Sequence, residues 1–174
     1  GEKNASVRLT LLGGETFVFI GARGVPEELY RTGVTLKTAS FPRGNESAFP
    51  YQVKASAYQQ AVLASTEQDP SGAFDQLFLD MRGGLTETRT GNFFLVKYPC
   101  RGRVSPRRTP VETRPLQGGK TEVLTPPEHL ILNGVTRRFV IKCAHELGLT
   151  VRETPLTRHD FFNADEAFLT NTSW

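Results

Sequence analysis

Four short stretches of this sequence carry residue types whose chemistry goes beyond structure. Lys54, one of only six lysines, lies in the largely uncharged run from Phe49 to Ala64. Beside Tyr51, Val53, Ala55, Ala57 and Tyr58 an amine can be partly desolvated, which frees it to form a Schiff base with a carbonyl compound. Glu87, in Gly84-Leu-Thr-Glu-Thr-Arg-Thr-Gly-Asn92, is a carboxylate at the end of a strand-like run. Such a carboxylate can keep a pyridine-type nitrogen protonated and so turn the ring into an electron sink. Gly134-Val135-Thr136 opens the most regular helical pattern in the chain. There, unpaired backbone N–H groups, the positive end of the helix dipole and the Thr136 hydroxyl suit a phosphate. Thr170-Asn-Thr-Ser-Trp174 is a hydroxyl cluster just after an apolar strand, able to close the other side of a phosphate cup. Taken singly, these read as a surface lysine, an exposed turn glutamate, an ordinary helix start and a polar turn. Taken together they describe a site for a phosphorylated, electron-withdrawing cofactor.

Other chemistries find no footing. Two cysteines, Cys100 and Cys143, and three histidines, His129, His145 and His159, are scattered without ligand spacing, so no metal site is expected. A Walker loop, a Gly-x-Gly-x-x-Gly turn and a Gly-x-Ser-x-Gly elbow are all missing from the sequence. The 21 Lys and Arg against 18 Asp and Glu leave a net charge of +3, too small to argue for nucleic acid. Arg101, Arg103, Arg107 and Arg108 crowd a Pro/Gly-rich segment from Pro99 to Gly119 that reads as a solvated loop. No run approaches the roughly 18 apolar residues of a membrane span, and two cysteines fit a reducing compartment, so a cytoplasmic protein without membrane partners is expected.

The elements that must position these groups follow from local patterns. Within 174 residues there is room for one well-buried core or a domain plus an appendage. Val7 to Leu12, Gly13-Gly14 and Thr16 to Ile20 predict a β-hairpin, and a short helical turn follows Pro26. Val34 to Ala39 alternates, and Ser40 to Pro50 is a loop. Ala57 to Thr66 predicts a helix packing through Tyr58, Ala61, Val62 and Ala64/Ser65, with Lys54 at its mouth. Strand-like runs follow at Phe74 to Leu79, Leu85 to Glu87 and Asn92 to Lys97. A helix begins at Gly134, presents Val135, Phe139, Val140, Cys143, Ala144 and Leu147, and ends at Gly148. Leu149 to Glu153 is a strand, Thr157 caps a short helix to Asn163, and Glu166 to Thr170 is a final strand. Hairpins outnumbering β-α-β units indicate an α+β fold.

The order of these pieces resembles one family. Lys54 and Tyr58 before an alanine-rich helix are followed by Leu85-Thr-Glu-Thr-Arg-Thr-Gly-Asn92 and Leu124-Thr-Pro-Pro. Ile131-Leu-Asn-Gly-Val-Thr-Arg137 and Ala164-Asp-Glu-Ala-Phe-Leu-Thr170 with Asn171-Thr172 complete the series. This succession resembles the class IV pyridoxal-phosphate aminotransferases, which include branched-chain and D-amino-acid aminotransferases and aminodeoxychorismate lyases. The match covers most of Val53 to Trp174.

The resemblance implies the large C-terminal domain of that family, with a mixed sheet or barrel-like arrangement and few helices. It implies pyridoxal 5'-phosphate as cofactor, Lys54 as the Schiff-base lysine and Glu87 as partner of the pyridine nitrogen. Val135, Thr136 and Thr172 would hold the phosphate, Leu132 would back the ring, and Tyr58 would lie near the phenolic oxygen. No cation in the matched segments serves the phosphate. The implied reaction moves an amino group between a branched-chain or D-amino acid and a 2-oxo acid; the lyase reaction, releasing pyruvate and 4-aminobenzoate, is the alternative. Ala57, where many members have Asn, Asn133, where many have Pro or Lys, and the long Arg-rich loop are departures that bear on substrate. Residues 1–50 would be the end of an N-terminal domain and the interdomain link, and 51–174 the cofactor-binding domain, truncated at its C-terminus. The complete protein would be a homodimer. These 174 residues alone would be catalytically silent; a second alternative is a catalytically silent fragment that acts as a binding or assembly module.

Overall fold

The computed structural model describes residues 5–22, 24–44, 50–54, 59–67, 71–99 and 119–172. Ala57, Tyr58, Cys100 and the four arginines between 101 and 108 lie outside the described residues. The chain divides into two compact units, one of Gly1–Val34 with Thr172–Trp174 and one of Thr35–Asn171. The division falls earlier than the expected boundary at residue 50, because Leu36–Thr38 pairs with Asp75–Leu77 and so belongs to the larger unit.

In the smaller unit, β1 (Ala5–Leu12) and β2 (Glu15–Ala22) form an antiparallel hairpin with Leu12 opposite Glu15. Its two-residue turn is Gly13-Gly14, with φ of 59° and 85°. Two successive positive φ values are what a hairpin turn matching strand twist requires, and only glycine adopts both without steric cost. Helix α1 (Glu27–Thr32) starts after Pro26, as the sequence predicts.

The larger unit carries the site-bearing sheets. Strand β3 (Leu36–Thr38) runs parallel to β4 (Asp75–Leu79), with α2 (Gln59–Thr66) between them in the chain, and β4 pairs antiparallel with β5 (Leu85–Thr88). A four-stranded sheet has β6 (Asn92–Lys97) at its centre, antiparallel to β7 (Glu122–Thr125) on one side and to β9 (Glu166–Thr170) on the other. Strand β8 (Thr150–Glu153) lies parallel to β7, with α3 (Val135–Glu146) as the crossover. The sheets are therefore mixed, as expected; among the described residues they do not close into a barrel.

Burial on both faces explains why β6 reads as the continuous apolar run Phe93-Phe94-Leu95. One face joins Phe93 and Leu95 to Leu77, Leu85, Leu124 and Leu156. The other joins Phe94 to Val123 and Ala144, with Val140 and Ile141 of α3 packed against them. Helix α3 ends as predicted: Gly148, at φ 73°, donates to His145 O (2.9 Å), and Leu149 donates to Ala144 O (3.0 Å), a Schellman closure. Thr157 caps α4 (Arg158–Phe162) in a reciprocal capping box with Asp160.

Two packing expectations are corrected. The inward stripe of α3 is Arg137, Val140, Ile141 and Ala144, whereas Val135, Phe139 and Leu147 are 66%, 63% and 76% exposed. Counting apolar residues rotates the predicted face because Arg137, a paired guanidinium, occupies the first inward position. In α2 only Ala64 is fully buried, against Ala39 and Phe78, while Val62 is exposed. The anchor there is polar: Gln76 Nε2 donates to Ala64 O at 2.8 Å. Strand β7 was not anticipated, since its four residues sit between the Arg-rich loop and Pro126-Pro127.

Phe93→Ala removes a ring from the centre of the larger core and is expected to destabilise the chain by about 3–5 kcal/mol, against about 1 kcal/mol for Thr157→Ala. Urea unfolding of both variants measures the contrast; equal losses would contradict this account of the core.

Candidate active site

Glu87 is the charged centre of the site. It lies on β5 between Thr86 and Thr88, in a four-residue strand buried at every position, so the exposed-turn reading is excluded. Its carboxylate meets three donors. Arg43, in the loop after β3, forms an ion pair with Oε1. Asn92 Nδ2, at the start of β6, donates to Oε2 at 2.9 Å, and the Leu132 backbone N–H donates to the same oxygen at 3.0 Å. Burial pushes the Glu87 carboxyl above its ordinary range, and the Arg43 charge, the Leu132 N–H and the more distant Arg137 charge pull against that shift.

Asn92 then ties the carboxylate to the helix start. The same Nδ2 that reaches Glu87 donates to Leu132 O at 2.9 Å. Two residues on, a Cβ at Gly134 would lie 2.6 Å from Asn92 Oδ1, so glycine is required for the chain to pass this close. Gly134 is the N-cap of α3 and no side chain caps the helix. The first bond along the helix runs from Arg138 N to Gly134 O at 3.0 Å, leaving the N–H groups of Val135, Thr136 and Arg137 ahead of any intrahelical acceptor. The described residues thus set a carboxylate and an anion-favouring helix terminus on one backbone segment, 132–136.

Arg137 holds that segment from below. Its guanidinium is fully buried, with Nη2 donating to Pro126 O at 2.9 Å and to Glu153 Oε2 at 2.7 Å, and Nη1 reaching Asn133 Oδ1 at 3.4 Å. It is a cation within a matched segment, but its hydrogen bonds turn it towards the loop and β8 instead of the open end of α3.

The remaining predicted residues are placed as follows. Lys54 is exposed, so the expected desolvation is not found in this chain. The reason is a tight turn: Val53 N donates to Pro50 O at 3.1 Å, and of this turn only the Tyr51 ring points inward. Leu132 and Thr136 are half-buried and Val135 is exposed. Thr172 is exposed and groups with the smaller unit. Tyr58 lies outside the described residues. Arg43 and Asn92, which complete the environment of Glu87, were missed by sequence reasoning. Arg43, the one cation in the sequence of the 40–50 loop, was the available signal there; for Asn92 it was the amide opening the most apolar strand.

The sequence pattern described as Amino-transferase class IV matches residues 1–174. The chain belongs to the class IV aminotransferase family. It is 32% identical over 161 residues to a candidate branched-chain-amino-acid aminotransferase of Methanocaldococcus jannaschii, covering 92% of this chain and 48% of that one. Among solved structures, a candidate branched-chain amino acid aminotransferase of Thermotoga maritima aligns at TM-score 0.75 and 28% identity over 99% of this chain and 55% of that one. The pyridoxal-phosphate form of the Thermobaculum terrenum branched-chain aminotransferase aligns at TM-score 0.67 and 29% identity, over 91% and 45% of the two chains. A candidate 4-amino-4-deoxychorismate lyase of Legionella pneumophila aligns at TM-score 0.67 and 25% identity, over 90% and 49%. The class IV chain described here spans about half the length of the relatives it matches.

The Glu87 environment makes stability depend on pH in a defined direction. A carboxyl whose proton affinity is higher in the folded state binds more protons there than in the unfolded chain, so its contribution falls as pH rises from its ordinary value of 4.5. Glu87→Gln removes that term. The unfolding free energy of the wild type minus that of Glu87→Gln is expected to decline as pH is raised from 4.5, measured by urea titration at each pH; a difference that rises would contradict the burial argument.

Proposed function

We propose that this chain forms the cofactor-binding part of a pyridoxal-phosphate-dependent aminotransferase of the branched-chain type, acting between an amino acid and a 2-oxo acid. The observation that carries the reading is the Glu87 carboxylate, hydrogen-bonded to Leu132 N at 3.0 Å, on the segment that opens α3. The donor set fits the cofactor's two ends: a buried carboxylate suits a pyridinium N–H, and an uncapped helix N-terminus suits a phosphate. The names of the solved relatives, one of them a pyridoxal-phosphate form, support the same choice of group.

When bound, pyridoxal phosphate supplies a ring that takes up the electron pair left as the substrate Cα–H bond breaks. Arg43, Asn92 and the Leu132 N–H oppose the upward push of burial on the Glu87 carboxyl, and in its ionised form Glu87 would hold the proton on the ring nitrogen. Val135 and Thr136 would offer backbone N–H groups, and Thr136 its hydroxyl, to the phosphate; for Thr172 only the resemblance assigns a hydroxyl to it. Leu132 backs the ring. Lys54 would hold the group at its carbonyl carbon, its amine replacing the carbonyl oxygen, which leaves as water; as a free amine it would take the proton from the substrate Cα and deliver it to that former carbonyl carbon. Tyr58 is assigned by the resemblance alone, which would set it near the phenolic oxygen. A homodimer and a cytoplasmic location belong to the same reading; among the described residues no helix is long and apolar enough to cross a membrane.

The likeness to the Legionella lyase favours one second reading, elimination of pyruvate from aminodeoxychorismate with the same Lys54. Keto-acid exchange with 2-oxoglutarate supports transfer, and aminobenzoate release supports the lyase.

Two outcomes test the assignment. Borohydride treatment of protein incubated with pyridoxal phosphate is expected to fix the pyridoxyl mass on the peptide holding Lys54; label on Lys97 or Lys142 instead would sink it. In the full-length enzyme, Glu87→Gln is expected to lower turnover by about two orders of magnitude while Lys54 still takes the label. Unchanged turnover would refute the role of Glu87.

A further inference from the structure

Lys54 is exposed, and a nucleophilic amine on an exposed turn needs something to hold that turn in register with the carboxylate it works beside. The structure contains such a connection, made of two side chains that no family motif supplied. The Arg43 guanidinium forms the ion pair with Glu87 Oε1 and stands over the Tyr51 ring, its central carbon 4.0 Å from the ring centroid. Tyr51 is buried, at 6% exposure, three residues before Lys54 in the Pro50–Val53 turn.

We infer that Tyr51 is a positioning residue for Lys54: its ring, stacked on Arg43, fixes the lysine-bearing turn to the Glu87 carboxylate. The inference rests on the cofactor reading given above for its functional meaning, but the tie itself is a property of this chain's own side chains.

Three features support the tie. Arg43 is anchored at its backbone, where its N–H donates to Leu79 O at 2.6 Å, so β4 fixes the base of the guanidinium and Glu87 and Tyr51 fix its head. A planar guanidinium can pair edge-on with a carboxylate while its face stacks on an aromatic ring, so the two contacts do not compete. The tyrosine is also met at its hydroxyl end: a Cβ at Gly44 would lie 3.8 Å from Tyr51 Oη and 2.8 Å from Gln60 Nε2, so the chain next to Arg43 runs close to that end of the side chain. The buried Tyr51 side chain is thus held along the Arg43-Gly44 segment, while Gln52, Val53 and Lys54 stay outside.

The attraction also bears on Glu87. A guanidinium held by the ring is kept on the carboxylate and opposes the upward push of burial; a guanidinium freed from the ring spends less time there. Loss of the ring is therefore expected to reach two sites at once, the carboxylate and the lysine, and loss of the Tyr51 hydroxyl alone is expected to reach neither.

The experiment compares wild type, Tyr51→Phe, Tyr51→Leu and Arg43→Lys, each checked for folding by circular dichroism. In cofactor-free protein, the Glu87 carboxyl is titrated by carbon-13 NMR. Tyr51→Leu is expected to raise its midpoint, and Tyr51→Phe to leave it in place. With pyridoxal phosphate and borohydride, the pyridoxyl label on Lys54 is expected to fall about tenfold in Tyr51→Leu and in Arg43→Lys, and to match wild type in Tyr51→Phe. Arg43→Lys keeps a charge for Glu87 but loses the flat face, so it carries the test if Tyr51→Leu does not fold. An unmoved Glu87 midpoint with undiminished label in Tyr51→Leu overturns the inference, as do equal effects of Phe and Leu, which would place the role in the hydroxyl. If wild type takes no label on Lys54 while the Glu87 midpoint still responds to Tyr51→Leu, the tie stands and the cofactor reading fails.

Discussion

A carboxylate taken out of water must find its compensation within the protein, and in this chain the compensation of Glu87 decides how the surrounding segments meet. An unpaired buried carboxylate costs several kcal/mol or more, far beyond what a short strand contributes. Glu87 offsets part of that cost by drawing Arg43 from the loop after β3, the amide of Asn92 from β6 and the backbone of Leu132 from the segment ahead of α3. Each partner belongs to a different element. The three contacts together hold the β4–β5 sheet, the central sheet and the start of α3 in one arrangement.

That arrangement has a chemical product. Because Leu132 is fixed to Glu87 and Asn92, and Gly134 passes against Asn92 without a side chain, the first turn of α3 begins at a fixed distance from the carboxylate. Arg137 completes the support from the inside of the helix, gripping Pro126 O and Glu153. A carboxylate and a helix N-terminus held this way are preorganised for a ligand that is cationic at one end and anionic at the other, which is the character of a pyridinium phosphate. The cores on the two faces of β6 provide the stiffness, since close-packed side chains such as Phe93 and Phe94 leave few alternative positions for the strand that carries Asn92.

The division of labour within the site follows burial. Glu87 is enclosed and paired with Arg43, Asn92 and the Leu132 N–H, whereas Lys54, the residue proposed to bond the cofactor, stands on an exposed turn. The chain belongs to the class IV family and spans about half the length of the relatives it matches.

Much of this was legible in the sequence because it is decided locally. Gly13-Gly14 marks the hairpin turn, Gly148 and Thr157 mark helix ends, and the apolar run of β6 marks a doubly buried strand; each depends on residues within a few positions of one another. The order of the motifs around Lys54, Glu87, Leu132 and Val135-Thr136 likewise needs no structure to be read. What the sequence could not decide is which charges go inside. Hydrophobic periodicity counts Arg137 as an outward residue and therefore rotates the face of α3, keeping Val140 and Ala144 inward but adding the exposed Val135, Phe139 and Leu147; it likewise gives Arg43 no role and Asn92 no partner. Those outcomes depend on side chains far apart in the chain, Arg43 with Glu87 and Arg137 with Glu153, and a charged group is stable in the interior only once folding has brought its partner within reach.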